Sequence, residues 1–174
     1  TTTTTYTITG TAANGCLNTA TATVTVLPLP TVTVNSPSIC IGASATLTAN
    51  GANTYTWSPS TGLSATTGAS VTANPTTTTT YTITGTAANG CLNTATATVT
   101  VLPLPTVTVN SPSICIGASA TLTANGANTY SWSPSTGLSA TTGASVTANP
   151  TATTTYTITG TAVNGCLKTA TATV

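Results

Sequence analysis

The chain has 174 residues and a single charged side chain, Lys168; Asp, Glu, His, Met and Phe are absent. General acid–base catalysis needs a group titrating near the working pH and a Ser or Cys nucleophile needs an activating base, so neither an enzyme nor a cofactor is expected. Zinc needs clustered Cys, His or carboxylates, calcium usually carboxylates, nucleic acid a basic patch and a membrane helix ~18 apolar residues in a row. None of these is present, so no metal, no nucleic acid and no transmembrane segment are expected.

The pattern is already running at Thr1: Tyr6 and Ile8 alternate with Thr, Asn14-Gly15 follows, and Leu27-Pro28-Leu29-Pro30 closes the phrase. Pro cannot donate to a sheet ladder and stiffens φ, so alternating Pro makes a short, semi-rigid spacer. Thr31-Val32-Thr33-Val34 then alternates as a strand, and residues 43–49 alternate small apolar residues against Ser and Thr as a second. Tyr55 and Trp57 share a phase on a third strand, and Ser58-Pro59-Ser60-Thr61-Gly62 reads as a loop. Ala69, Val71 and Ala73 form a short strand closed by Asn74-Pro75. Residues 78–87 carry Tyr81 and Ile83 on one face; Asn89-Gly90 is the strongest short hairpin signal. Residues 93–101 return with Ala95, Ala97, Val99 and Val101 inward and Thr outward.

The whole phrase recurs every 75 residues, as Tyr6, Tyr81 and Tyr156 show, and as Trp57 and Trp132 repeat. The copies differ at few places: Thr56 becomes Ser131, Thr77 becomes Ala152, Ala88 becomes Val163 and Asn93 becomes Lys168. With the Leu-Pro spacers as boundaries, 1–30 is the end of a truncated repeat: two strands and a linker. Residues 31–105 are a complete repeat with its linker, and 106–174 a nearly complete one. The sequence reads as a window onto a longer array.

Thr is β-branched and suits strands, and clean period-2 alternation marks half-buried strands. Several short strands per repeat with regular turn signals read as an all-β, immunoglobulin-like antiparallel sandwich in tandem. A β-solenoid would repeat every ~20–30 residues. Trp57 invites a reading as a sugar-stacking platform, but its in-phase partner Tyr55 and the lack of Phe place it in the core. The expected core is therefore Tyr55, Trp57, Tyr81 and Ile83, with Tyr130, Trp132, Tyr156 and Ile158 in the next copy.

On these phrases the chain resembles the PKD-like and immunoglobulin-like repeats of large secreted surface proteins of Bacteroidetes, of adhesin or gliding-motility type. The markers are Cys40-x-Gly42, Tyr55-x-Trp57, and Tyr81-x-Ile83 ahead of Asn89-Gly90-Cys91. The resemblance implies a cell-surface or extracellular location and export by the type IX system. One departure matters. Many PKD domains follow the strand aromatic with an acidic turn, whereas Trp57 is followed by Ser58-Pro59-Ser60, so no ion role attached to that turn carries over.

Five Cys in a secreted-looking chain imply disulfides. The habitual pairing is Cys40 with Cys91 and Cys115 with Cys166, inside each repeat. Strand direction opposes it. Cys40 follows the first strand and lies at one end of the sandwich; Cys91 follows the hairpin at the other. Strands of about seven residues at ~3.3 Å each separate those ends by roughly 20 Å, and a disulfide needs Cα atoms within about 7 Å. In a linear array the end bearing Cys40 abuts the hairpin end of the next repeat. The preferred pair is thus Cys40 with Cys166 across the joint, with Cys16, Cys91 and Cys115 bonded to repeats outside 1–174.

Near-identical copies add length, which points to a fibre, stalk or surface filament. Its partners would be neighbouring repeats and other copies, packed through Thr-rich faces. The alternative is an adhesin module that binds glycans or another cell. No Asn-x-Ser/Thr acceptor with a permitted middle residue occurs, so any glycans would be O-linked.

Overall fold

The structure is a computed structural model and describes residues 2–174. It is all β, with no helix among the described residues. The strands are β1 (Thr4–Thr11), β2 (Leu17–Val24), β3 (Thr33–Val34), β4 (Ser38–Cys40), β5 (Ala45–Asn50), β6 (Thr54–Ser58), β7 (Ser70–Ala73), β8 (Thr79–Thr86) and β9 (Leu92–Leu102). They continue as β10 (Thr108–Val109), β11 (Ala120–Asn125), β12 (Thr129–Ser133), β13 (Ser145–Ala148), β14 (Thr155–Thr161) and β15 (Leu167–Thr173). By contact the chain falls into two compact units. One gathers the residues up to Ser36 with Thr46–Thr72 and Thr80–Ala97; the other gathers Pro37–Ala45, Ala73–Thr79 and Thr98–Val174.

In the first unit, β1 and β2 form an antiparallel hairpin in which Tyr6 faces Ala22 and Ile8 faces Ala20. β3 pairs with β5, and β6 pairs with β8 so that Trp57 lies opposite Ile83 and Tyr55 opposite Gly85. Alternation sends Leu47, Tyr55, Trp57, Val71, Tyr81 and Ile83 inward, all at 6% exposure or less. The aromatic polar groups are satisfied locally. The Tyr55 hydroxyl accepts from the Ala52 N–H at 2.7 Å and donates to the Ala52 carbonyl at 3.0 Å. Trp57 Nε1 donates to the Gly68 carbonyl at 2.8 Å, and the Tyr81 hydroxyl to the Thr61 carbonyl at 2.7 Å. Buried hydroxyls and indoles need such partners. Gly85 is required by close packing: a Cβ there would stand 2.5 Å from Val32 Cγ2 and 2.8 Å from Ala52 Cβ.

The second unit repeats the design. β10, β11 and β13 form one sheet and β12, β14 and β15 another. Between them lies a core of Leu122, Tyr130, Trp132, Val146, Tyr156 and Ile158, with smaller Ala124, Ala148 and Ala172. Trp132 pairs with Ile158, and Tyr156 with Ala172.

Two features depart from the expected pattern of all-antiparallel strands. The strand expected over 31–34 is ordered only at Thr33–Val34, and the chain then makes a further strand, β4, in the second unit. β4 runs parallel to the end of β9, with Ser38, Ile39 and Cys40 opposite Thr100, Val101 and Leu102. Pro37, which has no N–H to donate, breaks the first strand, and its carbonyl accepts from Thr100 N. Asn35 covers the break by itself: Nδ2 donates to the Thr46 carbonyl at 2.9 Å and Oδ1 accepts from Thr48 N at 2.7 Å.

Candidate functional site: a disulfide-clamped joint

With one charged side chain, the chemistry that the fold positions is sulfur chemistry. Cys40 and Cys166 form a disulfide with Cα atoms 5.7 Å apart, spanning 126 residues of sequence. That span exceeds the repeat of 75, so the bond joins different copies. By loop-closure entropy a bridge of this length stabilises the fold by about 5 kcal/mol where no strain opposes it.

Both sulfurs are carried on short, hydrogen-bonded frames. Cys40 ends β4, Ile41 N donates to the Leu102 carbonyl at 3.0 Å, and the chain reverses as Ala43 N donates to the Cys40 carbonyl at 2.9 Å. Gly42 sits in that reversal at φ +85, the left-handed region where a Cβ is costly. Cys166 lies just past the Asn164-Gly165 turn, fully buried. There Ala162 N donates to the Cys166 carbonyl, Gly165 N to the Ala162 carbonyl, and Cys166 N to Asn164 Oδ1 at 3.0 Å.

The turn also holds the linker, a role that reading the sequence missed. Asn164 Nδ2 donates to the Pro103 carbonyl at 3.0 Å. In the first unit Asn89 Nδ2 reaches the Pro28 carbonyl at 3.1 Å, and Asn93 Nδ2 reaches Pro30 at 2.9 Å. The signal was present: proline linkers leave their carbonyls without ladder partners, and an Asn recurs beside each hairpin. Lys168 replaces Asn93 in the last copy.

Cys16, Cys91 and Cys115 are free; Cys16 and Cys115 are exposed and Cys91 is partly covered. The alternative bonds Cys40–Cys91 and Cys115–Cys166 are not formed. Tyr55, Trp57, Tyr81, Ile83, Tyr130, Trp132, Tyr156 and Ile158 all lie at 7% exposure or less, so none offers a ring face to a sugar. Among the described residues no group of three or more Cys, His or carboxylates is placed to hold a metal. No helix there is long and apolar enough to cross a membrane.

Residues 28–105 match the family of Ig-like domains described as CHU_C associated. No curated protein sequence matches the chain. Among solved structures it is similar to the N-terminal eight Ig domains of Down Syndrome Cell Adhesion Molecule isoform 1.30.30. That similarity has TM-score 0.54 and 12% identity, over 96% of this chain and 34% of that one. It is also similar to a Ca2+-stabilized adhesin of an Antarctic bacterium, at TM-score 0.46 and 16% identity over 99% of this chain and 55% of that one. The insect immune protein hemolin gives TM-score 0.39 and 14% identity, over 97% of this chain and 55% of hemolin. The chain thus spans about a third to a half of these relatives' lengths. The sandwich, the family match and the first of these structures agree, and the 75-residue copies complete the picture: the chain is an immunoglobulin-like repeat protein.

Proposed function

We propose that the chain is a non-catalytic structural segment of an extracellular fibre, stalk or surface filament, of the kind found in large secreted surface proteins of Bacteroidetes. Residues 1–30 are the end of a truncated repeat, 31–105 a complete repeat and 106–174 a nearly complete one, exported by the type IX system. The observation that carries the reading is the Cys40–Cys166 bond, which ties one copy to the next at a joint. A proline spacer is one connection between copies; a disulfide is a covalent second one, which limits bending at the joint. The lack of charge supports the same reading, because lateral packing through Thr-rich faces then meets little repulsion. Imaging of the oxidised and the reduced protein tests it. Reduction should increase bending without unfolding single repeats. Equal stiffness in both states would contradict the reading.

One observation favours the adhesin alternative. Each compact unit carries a similar open cavity beside the strand with the core aromatics. In the first unit it is about 380 Å³, lined by Thr54, Tyr55, Thr56 and Gly68; in the second it is about 490 Å³, lined by Thr129, Tyr130, Ser131 and Gly143. A neutral glycan held there would bind at a regular repeat along the array. Glycan-array binding that is lost in Thr56→Trp and Ser131→Trp variants would support this second reading.

A further inference from the structure

We propose that the edge of β15, opened by Lys168 where the other copies have Asn, pairs antiparallel with β15 of a second copy of the chain. The inference rests on the reading of the chain as a fibre segment and gives that fibre one specific lateral contact, at a sheet edge.

Strand edges carry unpaired N–H and C=O groups and are templates for another chain unless something blunts them. Most edges here are blunted. β3 and β10 have two residues each. Beside β6, Trp57 N donates to the Thr66 carbonyl at 2.8 Å and Gly68 N to the Tyr55 carbonyl at 3.2 Å; Trp132 and Gly143 repeat both bonds beside β12, to Thr141 and Tyr130. Along β7, Ser64 N donates to the Thr72 carbonyl at 2.9 Å and Thr72 N to Ser64 Oγ at 2.9 Å, and Ser139 and Thr147 do the same along β13.

The outer side of β15 is covered only at its end. Val174 and Thr154 exchange both backbone bonds at 3.0 Å, so Val174 faces β14 and alternation turns Thr173, Thr171 and Thr169 outward. Ser111 Oγ accepts from Thr173 N at 3.2 Å. Thr169 and Thr171 are exposed, and their backbone N–H groups have no partner among the described residues. The equivalent Thr94 and Thr96 of β9 are exposed too, although a further repeat follows them in the chain. The copies differ in one respect. Asn18 Oδ1 accepts from Thr19 N at 2.9 Å and Asn93 Oδ1 from Thr94 N at 2.9 Å, which seals the first outward N–H of β2 and of β9. Lysine has donors only, so Lys168 leaves Thr169 N–H open.

The occupant follows from the edge itself. Thr169-Ala170-Thr171 reads the same in both directions. An antiparallel copy centred on Ala170 therefore sets Thr169 on Thr171 twice, with four backbone bonds, and sets alanine on alanine. Threonine already faces threonine across the ladder within the chain, as Thr157 faces Thr171 and Thr159 faces Thr169. A lysine on an edge deters pairing where like charges meet. Here each Lys168 would lie opposite the other copy's Ala172, four positions from its Lys168, or roughly 13 Å at strand rise, where salt screens the repulsion. The contact is the same patch on both chains and closes as a two-fold dimer.

The test uses the full chain with Cys16→Ser, Cys91→Ser and Cys115→Ser, so that no intermolecular disulfide contributes, in sedimentation velocity at rising concentration. A reversible dimer is expected, and amide exchange at Thr169 and Thr171 should slow as it forms. Lys168→Asn restores the residue of the other copies, takes one N–H from each chain, and should weaken the dimer by roughly tenfold. Thr171→Pro removes another N–H from each chain at a position where an edge tolerates proline, and should weaken it at least as much. Lys168→Met removes the charge without adding the Asn acceptor and should keep the dimer or tighten it. A chain that stays monomeric, a Lys168→Asn dimer as tight as the parent's, or a Lys168→Met variant as weak as Lys168→Asn would overturn the inference. Circular dichroism and retention of Cys40–Cys166 show that the variants fold; if Thr171→Pro does not, Lys168→Asn and amide exchange decide. A monomer whose stiffness still depends on the disulfide defeats this inference alone, and equal stiffness in the oxidised and reduced states defeats the fibre reading instead.

Discussion

Strands β1 and β8 have the same eight residues, TTYTITGT, and differ in nearly everything that burial controls. In β8 the residues alternate, and Tyr81 and Ile83 have no exposed surface; in β1 every residue is exposed, with Tyr6 at 57% and Ile8 at 59%. Yet β1 keeps its ladder. Its register with β2, Tyr6 on Ala22 and Thr7 on Thr21, is the register of β14 with β15, Tyr156 on Ala172 and Thr157 on Thr171. Hairpin pairing is thus encoded locally, by the Asn-Gly turn and by Thr facing Thr. Burial is supplied from elsewhere, by the strands that carry Trp57 and Leu47. Residues 1–30 hold no counterpart of those covering strands, so β1 shows the pairing without the burial.

Identical substitutions at matched positions sharpen that contrast. The largest difference is expected for tyrosine. Tyr81→Ala empties a buried site and loses the Thr61 bond, and should cost about 3–5 kcal/mol, as for other large aromatics. Tyr6→Ala should stay within about 0.5 kcal/mol, as surface changes do. Urea unfolding of the two variants reads both, and comparable losses would erase the distinction.

Glycine comes next. Gly85→Ala forces a methyl against Val32 and Ala52 and should destabilise by about 1–3 kcal/mol. Gly10→Ala meets nothing nearer than the Asn18 carbonyl at 3.9 Å and should be neutral or slightly stabilising, because strand glycine carries an entropic cost of roughly 0.5–1 kcal/mol. Thermal unfolding decides it, and a destabilised Gly10→Ala would show that β1 is covered in solution.

A smaller effect is expected at the turns. Asn164→Ala removes the bonds to Pro103 and to Cys166 N and should cost about 1 kcal/mol, measured as faster amide exchange across the turn. Asn14→Ala removes only the Cys16 bond among those described and should cost less.

The smallest effect is that of salt. With no side-chain carboxylate to pair with Lys168, the unfolding midpoint should not move between low and high sodium chloride. A midpoint that fell with salt would point to electrostatic contacts that the sequence does not supply.

The sandwich was legible because Thr alternates with apolar residues almost without interruption, and period 2 fixes which side chains face in. Strand direction followed instead from the strand order inferred for a sandwich, and it is what argued against pairing Cys40 with Cys91. β4 was not. It has three residues, and its partner, the end of β9, lies about sixty residues further along the sequence, so no local pattern announces a parallel pair. The roles of Asn35, Asn89 and Asn164 were hidden differently. Each has a bland local reading as a turn residue, while its side chain bonds backbone between 11 and 61 residues away.

The central claim is that Cys40 bonds across the joint and not within its own repeat. Copies 75 residues apart give identical peptides around Cys40 and Cys115, and around Cys16 and Cys91, so the decisive measurement is a disulfide map of the oxidised Cys16→Ser, Cys115→Ser chain after cleavage at Leu and aromatic residues. The peptide around Cys166 is marked by Val163 where that around Cys91 has Ala88. The account predicts the Cys40 peptide joined to the Val163-containing one. A Cys40 peptide joined to the Ala88-containing one would contradict it.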